Sequence, residues 1–140
     1  VLCNTSDRAA YPGYMGYNNT EILIMAHEST PANYCSTSYN QLRTYQETVP
    51  EPATASPSHI PSNSELNVIA ANMAMLNASL SAASGTELAS VAADSWTGFY
   101  WSSTERNGNT QWKHAMEGGL DVIRRDLNGR TGYLRLILAF

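Results

Sequence analysis

The chain is short of charge. Of its 140 residues 14% are charged, against about a quarter in ordinary soluble domains, and Ser, Thr, Asn and Ala fill the gap. Lysine is nearly missing: Lys113 stands alone among eight basic residues that are otherwise arginine. A formal charge of −4 argues against a dedicated nucleic-acid binder. Cysteine is scarce too, and Cys3 and Cys35 cannot by themselves make the usual four-ligand zinc site. A single disulfide in an exported protein and a pair of buried free thiols both remain open for them. No apolar run approaches the roughly 20 residues of a membrane helix, so insertion into a bilayer is not expected. No basic segment followed by an apolar stretch opens the chain, so an export signal is expected to lie upstream or to have been removed.

Chemistry-bearing motifs are also lacking. There is no HExxH, no GxSxG and no Gly-rich phosphate loop. His27 has no partner one helical turn on, His59 lies among prolines, and His114 alternates with Trp112 and Met116 in a strand-like run. Structural roles suit all three, and the expectation is a protein that is not an enzyme and needs no cofactor or metal.

What is present is a globular composition, 43% hydrophobic, at the length of one domain with a single core. Its charge is divided unevenly. Residues 1–104 hold two basic against eight acidic side chains; residues 105–140 hold six against four. The six are Arg106, Lys113, Arg124, Arg125, Arg130 and Arg135. Arginine loses less on desolvation than lysine and offers a rigid donor fork, so it is favoured at interfaces; a basic solvated face gives the same count.

Val1–Cys3 reads as a short strand. A turn-rich stretch with Tyr11, Tyr14 and Tyr17 follows, covering a core edge. Thr20–His27 reads as a helix with Glu21 in its first turn, where a carboxylate suits the dipole. Thr30-Pro31 starts a second helix, capped by Thr, to about Ser38. Residues 46–63 hold four of the six prolines and no apolar period, an extended surface connection. Ser62-Asn63-Ser64-Glu65 is a capping box. Behind it Leu66, Ile69, Met73, Leu76 and Leu80 form one apolar stripe on a helix of about five turns, with Asn67, Asn72 and Asn77 opposite and Ser84-Gly85 as its stop. From Gly98 the pattern turns strand-like: Gly98–Ser103, Gln111–Glu117, Leu120–Ile123 and Tyr133–Phe140, the last apolar on both faces as in a central strand. Helices first and antiparallel strands second is the order of an α+β domain.

The segments His59-Ile60-Pro61-Ser62, Glu65-Leu66 with its long helix, Tyr100-Trp101-Ser102-Ser103-Thr104-Glu105, Trp112, Gly119, Tyr133-Leu134-Arg135 and Leu138-Ala139-Phe140 resemble a bacterial and phage family of C-type-lectin-fold domains. Within it they are most similar to the variable ligand-binding proteins of diversity-generating retroelements. Residues 59–140 carry the resemblance and residues 17–45 share it weakly. Ser58 stands where an aromatic commonly precedes the first segment, and Leu136 where proline is frequent. The calcium-coordinating motifs of sugar-binding animal lectins are missing, Glu51-Pro52 being followed by Ala53.

The resemblance implies a C-type-lectin-like fold, two helices on a small, mostly antiparallel sheet with long loops, and a variable region of about 99–140. In such systems Asn codons are randomised at their adenines, which cannot yield Lys, Glu, Gln, Met or Trp. Residues 118–132 contain none of these five and mix apolar with charged side chains. The implied ligand-binding residues are Arg106, Asn107, Asn109, Leu120, Asp121, Ile123, Arg124, Arg125, Asp126, Asn128 and Arg130. The frame beneath them would draw on about 1.5–3 kcal/mol per buried large side chain, while surface positions vary within about ±0.5 kcal/mol. The expected function is binding of a host-cell surface protein or glycan at a phage tail tip or bacterial cell surface. A non-diversified adhesin or pilus-tip domain of the same fold is the alternative. An enzyme of the formylglycine-generating type is the third reading, and it would need reactive cysteines close to the late strands. Fibre-mounted relatives are often trimers, and no trimer seam is evident here.

Overall fold

In the computed structural model, which describes residues 14–29, 36–90, 97–107, 110–117, 119–124 and 131–139, helices precede strands. Four helices, α1 (Gly16–Ser29), α2 (Ser36–Thr48), α3 (Asn63–Ala71) and α4 (Met73–Ala82), are followed by strands β1 (Thr97–Asn107), β2 (Thr110–Ala115), β3 (Gly119–Arg124) and β4 (Thr131–Tyr133). This is an α+β architecture. The strand at Val1–Cys3, both cysteines, and the Thr30-Pro31 helix start lie outside the described residues.

α1 starts a full turn before the expected Thr20, so Glu21 is not in its first turn. Gly16 explains the start. A Cβ there would come within 2.8 Å of the Ile60 carbonyl oxygen and 2.9 Å of the His59 ring, so only glycine lets the helix end abut this segment. Thr20 then locks the pair: its hydroxyl donates to the Ile60 carbonyl at 3.2 Å and accepts the Ile60 amide at 3.0 Å. Tyr17, in the helix rather than a loop, sets its ring edge-on against His59 at 5.9 Å, while Tyr14 is exposed and covers nothing. α2 was not expected beyond about Ser38. Its composition is poor in helix formers and carries no apolar stripe, but Leu42 is fully buried and Gln46 donates to the Ser58 carbonyl at 2.7 Å. Tertiary anchoring overrides weak propensity here.

The capping box forms as expected. Ser62 Oγ accepts the Glu65 amide, and Glu65 accepts the Ser62 amide at 2.6 Å. The helix behind it is two helices rather than one of five turns. At Asn72 (φ −113°, ψ 14°) the side-chain amide donates back to the Val68 carbonyl at 2.8 Å, the local competition that makes Asn a poor helix-interior residue. The stripe survives the break: Leu66 is buried with Leu88, Tyr100 and Met116, and Ile69, Met73, Leu76 and Leu80 pack against them. The opposite asparagines are not simply solvated. Asn67 Oδ1 lies 3.1 Å from His114 Nε2, and Asn77 clamps the Leu88 backbone, accepting its amide at 2.7 Å and donating to its carbonyl at 3.0 Å.

The sheet has the order β3-β2-β1-β4. β1–β2 and β2–β3 are antiparallel, whereas β4 runs parallel to β1, so the sheet is mixed. β4 holds only Thr131–Tyr133, at an edge; the central strand expected at Tyr133–Phe140 does not form. Beyond Tyr133 the chain leaves the sheet, and Ile137 bridges His59 instead, with both backbone hydrogen bonds at 3.0 Å. That pairing explains the apolar run: Leu134 and Leu136 pack against a second cluster of Leu23, Ile24, Leu42 and Ile60. The surface connection expected over residues 46–63 is irregular only from 49 to 62, since 46–48 belong to α2 and Asn63 to α3, and Ser58, His59, Ile60 and Ser62 are buried in it rather than on the surface.

Candidate functional site

The residues proposed from sequence divide into three groups. Asn109, Arg125, Asp126, Asn128 and Arg130 lie outside the described residues. Arg106 and Asn107 close β1. Leu120, Asp121, Ile123 and Arg124 lie on β3, the strand expected at Leu120–Ile123 with one residue added at each end. Pairing fixes its register: Thr110 opposite Arg124, Gln111 opposite Ile123, Lys113 opposite Asp121 and His114 opposite Leu120. Across β1 and β2, Asn107 pairs with Thr110 and Glu105 with Gln111. Asn107, Thr110 and Arg124 therefore form one row across three strands, at the end of the sheet where the β1–β2 turn lies. Leu120 is brought to the other end, roughly 13 Å away along the strand at about 3.3 Å per residue.

Beneath this end the frame is closed on both faces. Gln111, Trp112, Lys113 and His114 are all buried, as are Ser102, Ser103, Thr104 and Glu105 on β1. Alternation in Gln111–Glu117 predicted one polar face, but a strand flanked on both sides hides its polar side chains as well. Lys113, only 1% exposed, holds its ammonium 5.2 Å from the centre of the Phe99 ring, a cation–π contact that gains strength out of water. Phe99 in turn meets Trp101 edge to face at 4.8 Å.

β1 reaches this end through an irregularity. Between Trp101 and Glu105 the register against β2 shifts, a bulge of the kind that bends a strand and re-aims its end. Its backbone is pinned from the helical side. The Ser103 amide donates to the Pro61 carbonyl at 2.9 Å, the Asn63 amide to Thr104 Oγ1 at 3.1 Å, and the Gln111 side chain to the Ser102 carbonyl. Position of the hairpin is thus set by the start of α3. The two anchors to the start of α3 are not legible in the sequence, because they join residues some forty positions apart through Ser, Thr and Asn, whose pattern is not periodic; the Gln111 bond to Ser102 lies within the β1–β2 pair.

Titratable groups near the sheet serve packing. Burial lowers the His114 pKa below the ordinary histidine value, partly offset by a backbone hydrogen bond at Ala115, and its Nε2 faces Asn67. Burial raises the Tyr100 pKa, against the Ala89 amide that donates to its hydroxyl oxygen at 2.7 Å. His59 Nδ1 lies 3.0 Å from the Pro57 carbonyl and 3.4 Å from Ser56 Oγ, whose hydroxyl also accepts the Ala139 amide. Among the described residues no three His, Cys, Asp or Glu side chains are grouped to hold a metal ion, and no helix is long and apolar enough to cross a membrane. Comparison with family models, curated proteins and solved structures finds no match to this chain.

Proposed function

We propose that the chain is a non-enzymatic ligand-binding domain of C-type-lectin-like fold. It presents one end of its sheet to a host-cell surface protein or glycan, from a phage tail tip or a bacterial cell surface. The observation that carries this reading is the row Asn107–Thr110–Arg124. It gathers the ends of β1, β2 and β3, and residues 108–109 and 125–130, which include Asn109, Arg125, Asp126, Asn128 and Arg130, adjoin those ends in the sequence. The neighbouring positions Ser102–Glu105 on β1 and Gln111–His114 on β2 are buried frame. Arginine is enriched among the residues that anchor interfaces, and Arg106, Arg124, Arg125 and Arg130 all fall in this part of the sequence.

The test is attachment of labelled protein to a panel of bacterial cells, with wild type and the triple variant Asn107→Ala, Arg124→Ala, Arg125→Ala. Loss of an anchoring arginine costs about 2 kcal/mol, so cell binding should weaken by at least tenfold at unchanged Tm. Undiminished attachment of the variant refutes the site. Sequencing the locus separates a diversified protein from a fixed adhesin. The former requires a reverse transcriptase gene and a near-repeat of the segment for residues 99–140 that differs at adenines.

A further inference from the structure

The junction between α3 and the β1 bulge contains polar atoms that the protein leaves unpaired. Asn63, the first residue of α3, is 1% exposed and Ser103 is fully buried. Neither Nδ2 nor Oδ1 of Asn63, nor Oγ of Ser103, has a hydrogen-bond partner. Both residues are held at this junction by their backbones, Asn63 against Thr104 and Ser103 against Pro61. Burying an amide or hydroxyl unsatisfied is costly, and buried polar groups as a rule find a partner in protein or ordered water.

The chemistry of the orphans selects that partner. Asn63 Nδ2 only donates, so it needs an acceptor and cannot be satisfied by a metal cation. Oδ1 only accepts, so it needs a donor and cannot be satisfied by an anion. The helix start makes no separate demand for an anion, because the amides of Asn63 and Glu65 are already taken by Thr104 Oγ1 and Ser62 Oγ, and Glu65 fills the capping box. A small neutral molecule that both donates and accepts meets both requirements of Asn63, and a partner of the same kind suits the Ser103 hydroxyl in either sense. The geometry points to an internal water site at this junction, a structural ligand that helps fix the bulge and through it the end of the sheet. It stands whether or not that end binds a partner. Internal waters of this kind typically make about three hydrogen bonds to otherwise unsatisfied groups.

The experiment uses the intact, isotope-labelled protein. In NOE and ROE spectra recorded at the water frequency, the Asn63 side-chain amide protons should show cross-peaks whose relative sign is that of a water tumbling with the protein. Asn63→Leu, which removes the amide and fills its space, should lower the urea midpoint, because it breaks a satisfied network. Absence of a water cross-peak at the Asn63 amide overturns the proposal. So does a rise in the midpoint of Asn63→Leu, since removing truly unpaired polar atoms relieves a cost.

Discussion

Replacing Gly132 by alanine should loosen β4 from the sheet. Gly132 is registered against Phe99. A Cβ there would stand 2.8 Å from Phe99 Cδ2, closer still to Cε2, and 2.9 Å from Trp101 Nε1. The ring has little room to retreat: Phe99 is fully buried, with Trp101 edge-on at 4.8 Å and the Lys113 ammonium 5.2 Å from its centre. Overpacking of a filled site costs about 1–3 kcal/mol. The stiffer unfolded chain returns roughly 0.4–1 kcal/mol. At the middle of each range the net loss is about 1.3 kcal/mol, a fall in Tm of roughly 4–6 °C at this chain length. Thermal unfolding followed by circular dichroism measures it, and the double variant Gly132→Ala, Phe99→Leu identifies the cause. If the clash is responsible, alanine costs less beside the smaller leucine, a coupling that a double-mutant cycle isolates. A Tm equal to or above wild type for Gly132→Ala would refute the reasoning.

Two further predictions concern a helix end and a buried histidine. α4 ends in a Schellman arrangement in which Gly85 donates to the Leu80 carbonyl at 2.7 Å and Ser84 to that of Ser81 at 3.0 Å, so the left-handed position falls on Ser84, at φ 57°, rather than on the glycine. Ser84→Gly should raise stability by about 0.5–1 kcal/mol, read as a higher urea midpoint; a lower one would contradict it. His114 is held neutral in the fold by burial. The unfolded chain takes up a proton at about pH 6.5 while the folded one does not until lower pH, so the unfolded state binds more protons in between. Stability is therefore complete above pH 6.5 and declines as pH falls toward the folded pKa. Between pH 7.5 and 5.5 the urea midpoint of wild type should fall further than that of His114→Gln; parallel slopes would remove His114 as the cause.

Local, periodic signals were legible in the sequence and non-periodic tertiary ones were not. The Ser62–Glu65 capping box, the stripe from Leu66 to Leu80, and the change to strands at Gly98 each rest on residues within a few positions of one another, and each is found. α2 was missed because a single buried leucine and one glutamine hydrogen bond hold it. The break at Asn72 was missed because one side chain turning back on Val68 leaves the apolar spacing undisturbed. The apolarity of Tyr133–Phe140 reads as a central strand, whereas Leu134 and Leu136 pack against the cluster beneath α1 and α2 while Ile137 pairs with His59. At the candidate site the residue set rests on composition and on the resemblance read from the sequence, neither of which carries the register of β3, because strand pairing joins residues through the backbone rather than through a side-chain pattern. That register separates Leu120 from Arg124.

Placement of β3 bears on how much variation the proposed surface can accept. Among the described residues β3 pairs with β2 alone, so every second backbone amide of the strand is free of the ladder. An Asn codon randomised at its first two bases can yield proline, which removes an amide and is tolerated in a sheet only where none is needed. An inner strand would be broken at any position by such a change; an edge strand is broken at only half of them. β2, by contrast, is paired on both sides and buried on both faces, and it carries Gln111 and Lys113, two residue types that randomised Asn codons cannot produce. By the same hydrogen-bonding argument, the proposed positions on the edge strand β3 accept more of the products of randomisation than Arg106 and Asn107, which lie on the inner strand β1.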